Sequence, residues 1–309
     1  MYLLEKLFMY ARNLTFMPRH ERAGGVFDFA RLSSPPASVG FDFSNARHVH
    51  LGDQLFYEPV IRAFRDRGVS VVVAPIPAAR DYFREAGYDV VPPAEVLRQE
   101  LRISSIWMYG YMPRDERRER FLYLNAIHHD ITGPVAEFLA EHALRAACLD
   151  PALRPIDGRP YLVQPGPTPL DDEPGQWMVF NDTVSSGWFR VAPGDRRAVA
   201  RAAEEMRREG FRIVRVGTEA ERRARPALVG VEDLDLRGRT SVMELFRLLR
   251  SPKVAGTVSF DHVVAHMGMA CGKPAIIRMR RMSRSHSEFM KRFLIPPFAS
   301  GRDTPVRFI

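Results

Sequence analysis

The stretch His48-Val-His-Leu-Gly-Asp-Gln-Leu-Phe-Tyr-Glu-Pro-Val-Ile-Arg-Ala-Phe-Arg-Asp-Arg-Gly68 decides the fold. Val49 and Leu51 alternate with His48 and His50, the period of a strand. Val60, Ile61 and Phe64 then fall at helical spacing, with Arg62, Arg65 and Asp66 on the other face. The pattern predicts a strand ending at Gly52-Asp53 and an amphipathic helix directly after it. Gly52 lets the backbone turn tightly, and Asp53 stands where a strand tip opens onto a crevice. A carboxylate there is a candidate general base and equally a helix N-cap, and the local sequence favours the cap.

Outward from this stretch the chain alternates. Val69-Ser-Val-Val-Val-Ala74 reads as a buried parallel strand, Pro77 to Ala86 as a helix closed by Gly87, and Tyr88-Asp-Val-Val91 as the next strand. That succession is the signature of a doubly wound α/β domain. Residues 18 to 45, punctuated by Gly24-Gly25 and Ser33-Ser-Pro-Pro36, read as loop. Arg98 to Asp150 reads as mostly helical and carries Trp107, Tyr109, Tyr111 and the charged run Arg114 to Arg120, a solvated helix face. Asp150 to Gly175 holds Pro151, Pro155, Pro160, Pro165, Pro167, Pro169 and Pro174, too many for a helix or central strand, and is the candidate linker.

A second α/β series follows it. Strands are predicted at Met178–Phe180, Phe211–Val216, Asp233–Leu236, Lys253–Ser259 and, last, Pro274–Ile277. Helices are predicted from Pro193 to Glu209, from Glu219, from the capping box Ser241-Val-Met-Glu244, and from Asp261 to Cys271. The expected architecture is two Rossmann-like α/β domains, residues 1–160 and 161–309, facing a central cleft in which the ligand binds.

Bulk properties bound the function. The 309 residues are 46% apolar and 27% charged, with a formal net charge of +8, which favours anionic partners. The basic residues are spread through the chain and no nucleic-acid motif accompanies them, so anionic small molecules or lipid head groups are the better partners. The two cysteines, Cys148 and Cys271, exclude a disulfide framework and fit a reducing cytoplasm. Residues 1–17 are apolar but broken by Glu5, Lys6 and Arg12, and fit a packed helix or a peripheral anchor at the inner membrane rather than a spanning helix or signal peptide.

Leu51-Gly-Asp-Gln-Leu-Phe-Tyr-Glu-Pro59 resembles the N-terminal signature of the heptosyltransferases, glycosyltransferase family 9, which runs Gly-Asp, a few apolar residues, then Pro. Asp261-His-Val-Val-Ala-His266, with Gly272 and Pro274, is similar to the family's Asp-Thr-Gly-Pro-x-His and Gly-x-Pro. Weaker likenesses lie between them in the family's order: Ser185-Ser-Gly-Trp-Phe-Arg190 for a phosphate loop ending in Lys, Val216-Gly-Thr-Glu219, and Gly238-Arg-Thr-Ser-Val-Met-Glu-Leu245. The likeness covers residues 46–90 and 177–278. It departs at His262-Val263-Val264, which replaces Thr-Gly-Pro, and at Arg190.

The resemblance implies a GT-B enzyme, inverting and metal-independent, that moves a sugar from a nucleotide-diphosphate donor to a hydroxyl of a glycan or lipid-linked saccharide, as in surface polysaccharide synthesis. It makes Asp53 the catalytic base and places Ser185, Ser186, Arg190, Glu219, Thr240, Asp261 and His266 on the nucleotide sugar. The helix starting near Asp261 would meet the diphosphate with free N–H groups. No cofactor is called for, and no Asp-x-Asp pair stands in a suitable place for a metal. Asp261 reads equally as a cap of its helix, His266 as a core histidine, and Glu219 and Glu244 as helix-start structure, while His262 with His266 has the spacing of metal ligands. A nucleotide-sugar epimerase and an inactive glycosyltransferase-like binding protein are the alternative functions.

Overall fold

Val39 and Phe41, in a strand ahead of the quoted stretch, anchor the first of two sheets in the computed structural model. The structure describes residues 22–23, 26–28, 32–44, 51–105, 121–124, 134–183, 191–224, 231–279 and 304–309. They divide into two units, Met1–Tyr161 and Leu162–Ile309.

The first unit runs β1 (Arg22–Ala23), β2 (Val26–Asp28), β3 (Ser38–Asp42), α1 (Leu51–Arg65), β4 (Ser70–Ala74), α2 (Arg80–Glu85), β5 (Asp89–Val90), α3 (Pro93–Val96), β6 (Leu101–Ser105), β7 (Phe121–Leu124) and α4 (Val135–Ala146). Its sheet has the order β1-β2-β7-β6-β3-β4-β5, parallel from β7 to β5, with β1 and β2 antiparallel at one edge. Two regions differ from the sequence reading. Residues 18–45 contain three strands rather than loop alone, because Val39 and Phe41 reach the core on either side of a glycine. At Gly40 a Cβ would come within 2.8 Å of Val96 Cγ1, so the glycine is a packing requirement. Between Arg98 and Asp150, β6 and β7 precede the one helix α4 among the described residues, so the stretch is not mostly helical. Residues 1–17, His48, His50, Trp107, Tyr109, Tyr111, the run 114–120, His128 and His129 lie outside the described residues.

Helix α1 buries Leu55, Val60, Ile61 and Phe64 and packs on α4. At its end Arg67 donates to the carbonyls of Ala63 (3.0 Å), Asp150 (3.0 Å), Pro151 (2.6 Å) and Arg154 (2.7 Å), pinning the start of the proline-rich stretch. Glu58, on the buried side of α1, pins its middle: the Tyr88 hydroxyl donates to Oε1 at 2.7 Å and the Tyr161 backbone N–H to Oε2 at 2.8 Å. Burial raises the Glu58 pKa above the ordinary carboxylate value, against the opposing pull of Arg62 and these hydrogen bonds.

The second unit runs β8 (Trp177–Asn181), α5 (Pro193–Arg208), β9 (Arg212–Arg215), α6 (Glu219–Ala224), β10 (Leu234–Asp235), α7 (Val242–Arg250), β11 (Val254–Phe260), α8 (Val263–Ala270), β12 (Ala275–Arg278) and β13 (Val306–Phe308). All pairs in its sheet, order β10-β9-β8-β11-β12-β13, are parallel. Met178, Phe180, Val199, Ala203, Met206, Ile213, Val258 and Phe260 form one core between the sheet and α5. The predicted succession of strands and helices is found, including the Ser241–Glu244 capping box. Residues 274–277 are not the last strand: β13 adds to β12, its Arg307 paired with Glu205 of α5. No helix among the described residues is long and apolar enough to cross a membrane.

Candidate functional site

In a parallel sheet the ligand crevice lies at the carboxyl ends of the strands where strand order reverses. The first unit reverses between β3 and β6. There the Ser104 hydroxyl donates to the Asp42 carbonyl at 2.8 Å, while the Asp42 carboxylate accepts from the backbone N–H and hydroxyl of Ser44 at 3.1 and 2.6 Å. Asp53 belongs to α1, the helix after β3, and is buried with 6% exposure. It does not end a strand, as the sequence reading had it. Leu51 to Asp53 are already helical, so Asp53 sits in the first turn rather than at the N-cap, and a first-turn carboxylate matches the positive end of the helix dipole.

The second unit reverses between β8 and β11, and its tips carry a denser polar cluster. Asn181 ends β8. Its Oδ1 accepts from the Thr183 N–H (2.7 Å) and hydroxyl (2.9 Å), and its Nδ2 donates to the Val216 carbonyl at the tip of β9 (2.9 Å). Across the reversal His262 Nε2 lies 3.0 Å from Asn181 Oδ1, and His262 Nδ1 accepts from the Val264 N–H at 3.1 Å. The cap of α8 is therefore His262, one residue after Asp261. Asp261 Oδ1 instead meets His266 Nε2 at 3.1 Å, and both side chains are buried. A carboxylate only accepts, so the histidine donates. His262 and His266 thus have different partners, and no group of His, Cys, Asp and Glu suited to a metal is found among the described residues.

Asn181, Gly217 and Arg237 meet because Gly217, at φ +153°, has no side chain: a Cβ would fall 3.2 Å from Asn181 Nδ2 and 3.3 Å from Arg237 Cγ. Glu219 begins α6, and Gly238, at φ +72°, lets the turn after β10 pass against it, where a Cβ would be 2.9 Å from Glu219 Cα. Arg222 and Arg223 engage the Glu219 carboxylate and lower its pKa. The helix cap here is Thr218, paired reciprocally with Glu221. Thr240 stands just before α7, its hydroxyl 3.5 Å from the Leu236 carbonyl. Of the predicted site residues Asp261 and His266 are thus in contact, Glu219 and Thr240 follow β9 and β10 of the same sheet, and Ser185, Ser186 and Arg190 lie outside the described residues.

Several polar residues of this face escaped the sequence reading. Arg215, 1% exposed inside β9, binds Asp182 Oδ1 at 2.7 Å and Glu232 Oε2 at 3.1 Å. Arg237 forks onto Asp235, with Nε 2.9 Å from Oδ1 and Nη2 2.8 Å from Oδ2. The signal for Asn181 and Asp182 was present, since they are the first polar residues after the apolar run 177–180 at a strand tip.

No protein-family model matches the chain, and the search of curated proteins finds no match either. Solved structures do match. A family 9 glycosyl transferase from Veillonella parvula DSM 2008 aligns over 91% of this chain and 88% of its own, with TM-score 0.57 and 12% identity. Escherichia coli ADP-heptose LPS heptosyltransferase II aligns over 88% of this chain and 90% of its own, with TM-score 0.50 and 12% identity. The chain carries the GT-B fold of these family 9 glycosyltransferase structures.

Proposed function

We propose that the chain is an inverting, metal-independent glycosyltransferase that moves a sugar from a nucleoside-diphosphate donor to a hydroxyl of a glycan or lipid-linked acceptor of bacterial surface polysaccharide type. The observation that carries this reading is the polar cluster Asn181, Asp261, His262 and His266 at the strand-order reversal of the second unit, beside the N-terminus of α8. A diphosphate suits that position, because the free N–H groups and the dipole of a helix start favour an anion. The fold match to a protein named for ADP-heptose supports a nucleotide sugar as donor.

In this reading the first unit holds the acceptor and Asp53 takes the proton from its hydroxyl. The hydroxyl oxygen attacks the anomeric carbon opposite the diphosphate, the bond from carbon to phosphate oxygen breaks, and the electron pair leaves with the nucleoside diphosphate. The N-terminus of α8 and Ser185, Ser186 and Arg190 balance the charge on the leaving group, the task a metal would otherwise perform. Glu219 and Thr240 contact the nucleotide sugar. The protein works in the cytoplasm, where a lipid-linked acceptor would be met at the inner membrane.

Asp53→Asn tests the base. Nucleoside-diphosphate affinity should stay within about twofold while transfer falls on the order of 10²- to 10⁴-fold, the usual worth of a general base. Transfer at the normal rate would remove Asp53 from that role. Arg190→Ala should weaken donor binding about tenfold, as expected for a lost charge-assisted hydrogen bond, and unchanged affinity would argue against its contact with phosphate.

A further inference from the structure

His262 occupies the position at which the family signature begins its Thr-Gly-Pro run, and two β-branched residues, Val263 and Val264, follow it. A proline in the first helical turn pre-sets the backbone for helix, and Val263-Val264 supplies no such constraint. The side chain of His262 supplies one instead. Val263, at the glycine's place, is helical and not at positive φ, so the backbone there does not require glycine, and His262 itself is extended, at φ −163° and ψ −174°.

The two ring nitrogens have opposite tasks. Nδ1 accepts the Val264 N–H at 3.1 Å and therefore carries no proton. The proton of the neutral ring must sit on Nε2, which points at Asn181 Oδ1 from 3.0 Å and donates to it. Asn181 is itself held from three sides, by the N–H and hydroxyl of Thr183 and by the Val216 carbonyl. One rigid path therefore runs from the tips of β8 and β9 through the imidazole to the first turn of α8.

We propose that His262 is a positioning residue of the donor site: a neutral imidazole protonated on Nε2 that caps α8 and locks its first turn to Asn181. This inference rests on the reading that a nucleoside diphosphate binds at the N-terminus of α8. Asn181 fixes the ring, the ring takes the Val264 N–H and so fixes the helix start, and the other N–H groups of that first turn are left to face the diphosphate. A side chain thereby takes the place of the backbone constraint that Thr-Gly-Pro gives the family signature.

The test uses the full chain. Long-range ¹H–¹⁵N spectra, with the His262 resonances identified by their loss in His262→Asn, should show a neutral ring with Nε2 protonated and Nδ1 bare. A ring protonated on Nδ1 overturns the inference whatever the nucleotide data show. Calorimetric titration with ADP, UDP, GDP, CDP and dTDP supplies the second readout, the variants being compared on whichever of them wild type binds. His262→Ala should lose about fivefold in affinity, the equilibrium factor of one lost cap, and His262→Asn, whose amide oxygen can cap, should recover affinity to within about twofold of wild type. Urea midpoints of both variants show that the folded protein is being titrated. Wild-type affinity in His262→Ala overturns this inference and leaves the donor site standing, whereas a wild-type protein that binds none of the five nucleotides overturns the donor site and the inference with it.

Discussion

Asp53 and Gln54 are neighbours in the first turn of α1 and both are buried, yet only Asp53 belongs to the family signature. Where that signature continues with apolar residues, Gln54 is fully buried and neither polar atom of its amide finds a partner among the described residues. An unpaired buried amide costs about 1–3 kcal/mol. Gln54→Leu, close in size and without polar atoms, is therefore expected to raise stability by about that amount in urea unfolding. Glu58 makes a second residue-scale prediction. Its pKa is raised in the folded protein, so the folded state holds this proton more tightly than the unfolded chain. That contribution to stability is complete below the ordinary carboxylate pKa and is lost as pH rises through the raised value. The stability of wild type relative to Glu58→Gln should fall from pH 4 towards neutrality, and a flat difference would contradict the assignment. At this scale the sequence singled out Asp53 and Asp261 but not their local surroundings. Asp53 lies in the first turn of its helix rather than at a strand tip, and the cap that was one reading of Asp261 belongs to His262, because a ring nitrogen two bonds from Cβ can reach the same N–H as a short carboxylate.

The elements that could be read in advance include those whose apolar runs are unbroken, β4, β8 and β12, with helices closed by glycines at positive φ such as Gly87, Gly210 and Gly272. The strands that could not are short or carry charge inward. Gly40 interrupts β3, Arg102 is buried within β6 with 3% exposure, and β13 has only three residues. A reading that turns charges outward discards a strand like β6. Arg215 in β9, a strand that was read in advance, is a second inward charge, with consequences for stability. It is a buried cation shared by Asp182 and Glu232, and Arg215→Met would leave both carboxylates without it. Loss of one partner of a buried ion pair costs about 3–5 kcal/mol, so this variant should show a clearly lower urea midpoint, while a midpoint equal to wild type would mean that the charges relax into solvent.

For the whole molecule the pattern of two α/β units separated within a proline-rich stretch was legible, because strand and helix alternate on both sides of it. The polar convergence within the second unit was not, since Asn181, Gly217, Arg237 and His262 are up to 81 residues apart and meet only when β8, β9, β10 and β11 align their carboxyl ends. That convergence at a strand-order reversal is what supports the proposal of a donor site in the second unit, and the buried first-turn Asp53 is what supports the proposal of a base in the first. The central claim is that the second unit binds a nucleoside diphosphate, and the most direct measurement is calorimetric titration of the full chain with ADP, UDP, GDP, CDP and dTDP. The account predicts saturable binding of at least one of them at a single site per chain, and absence of binding by all five would contradict it.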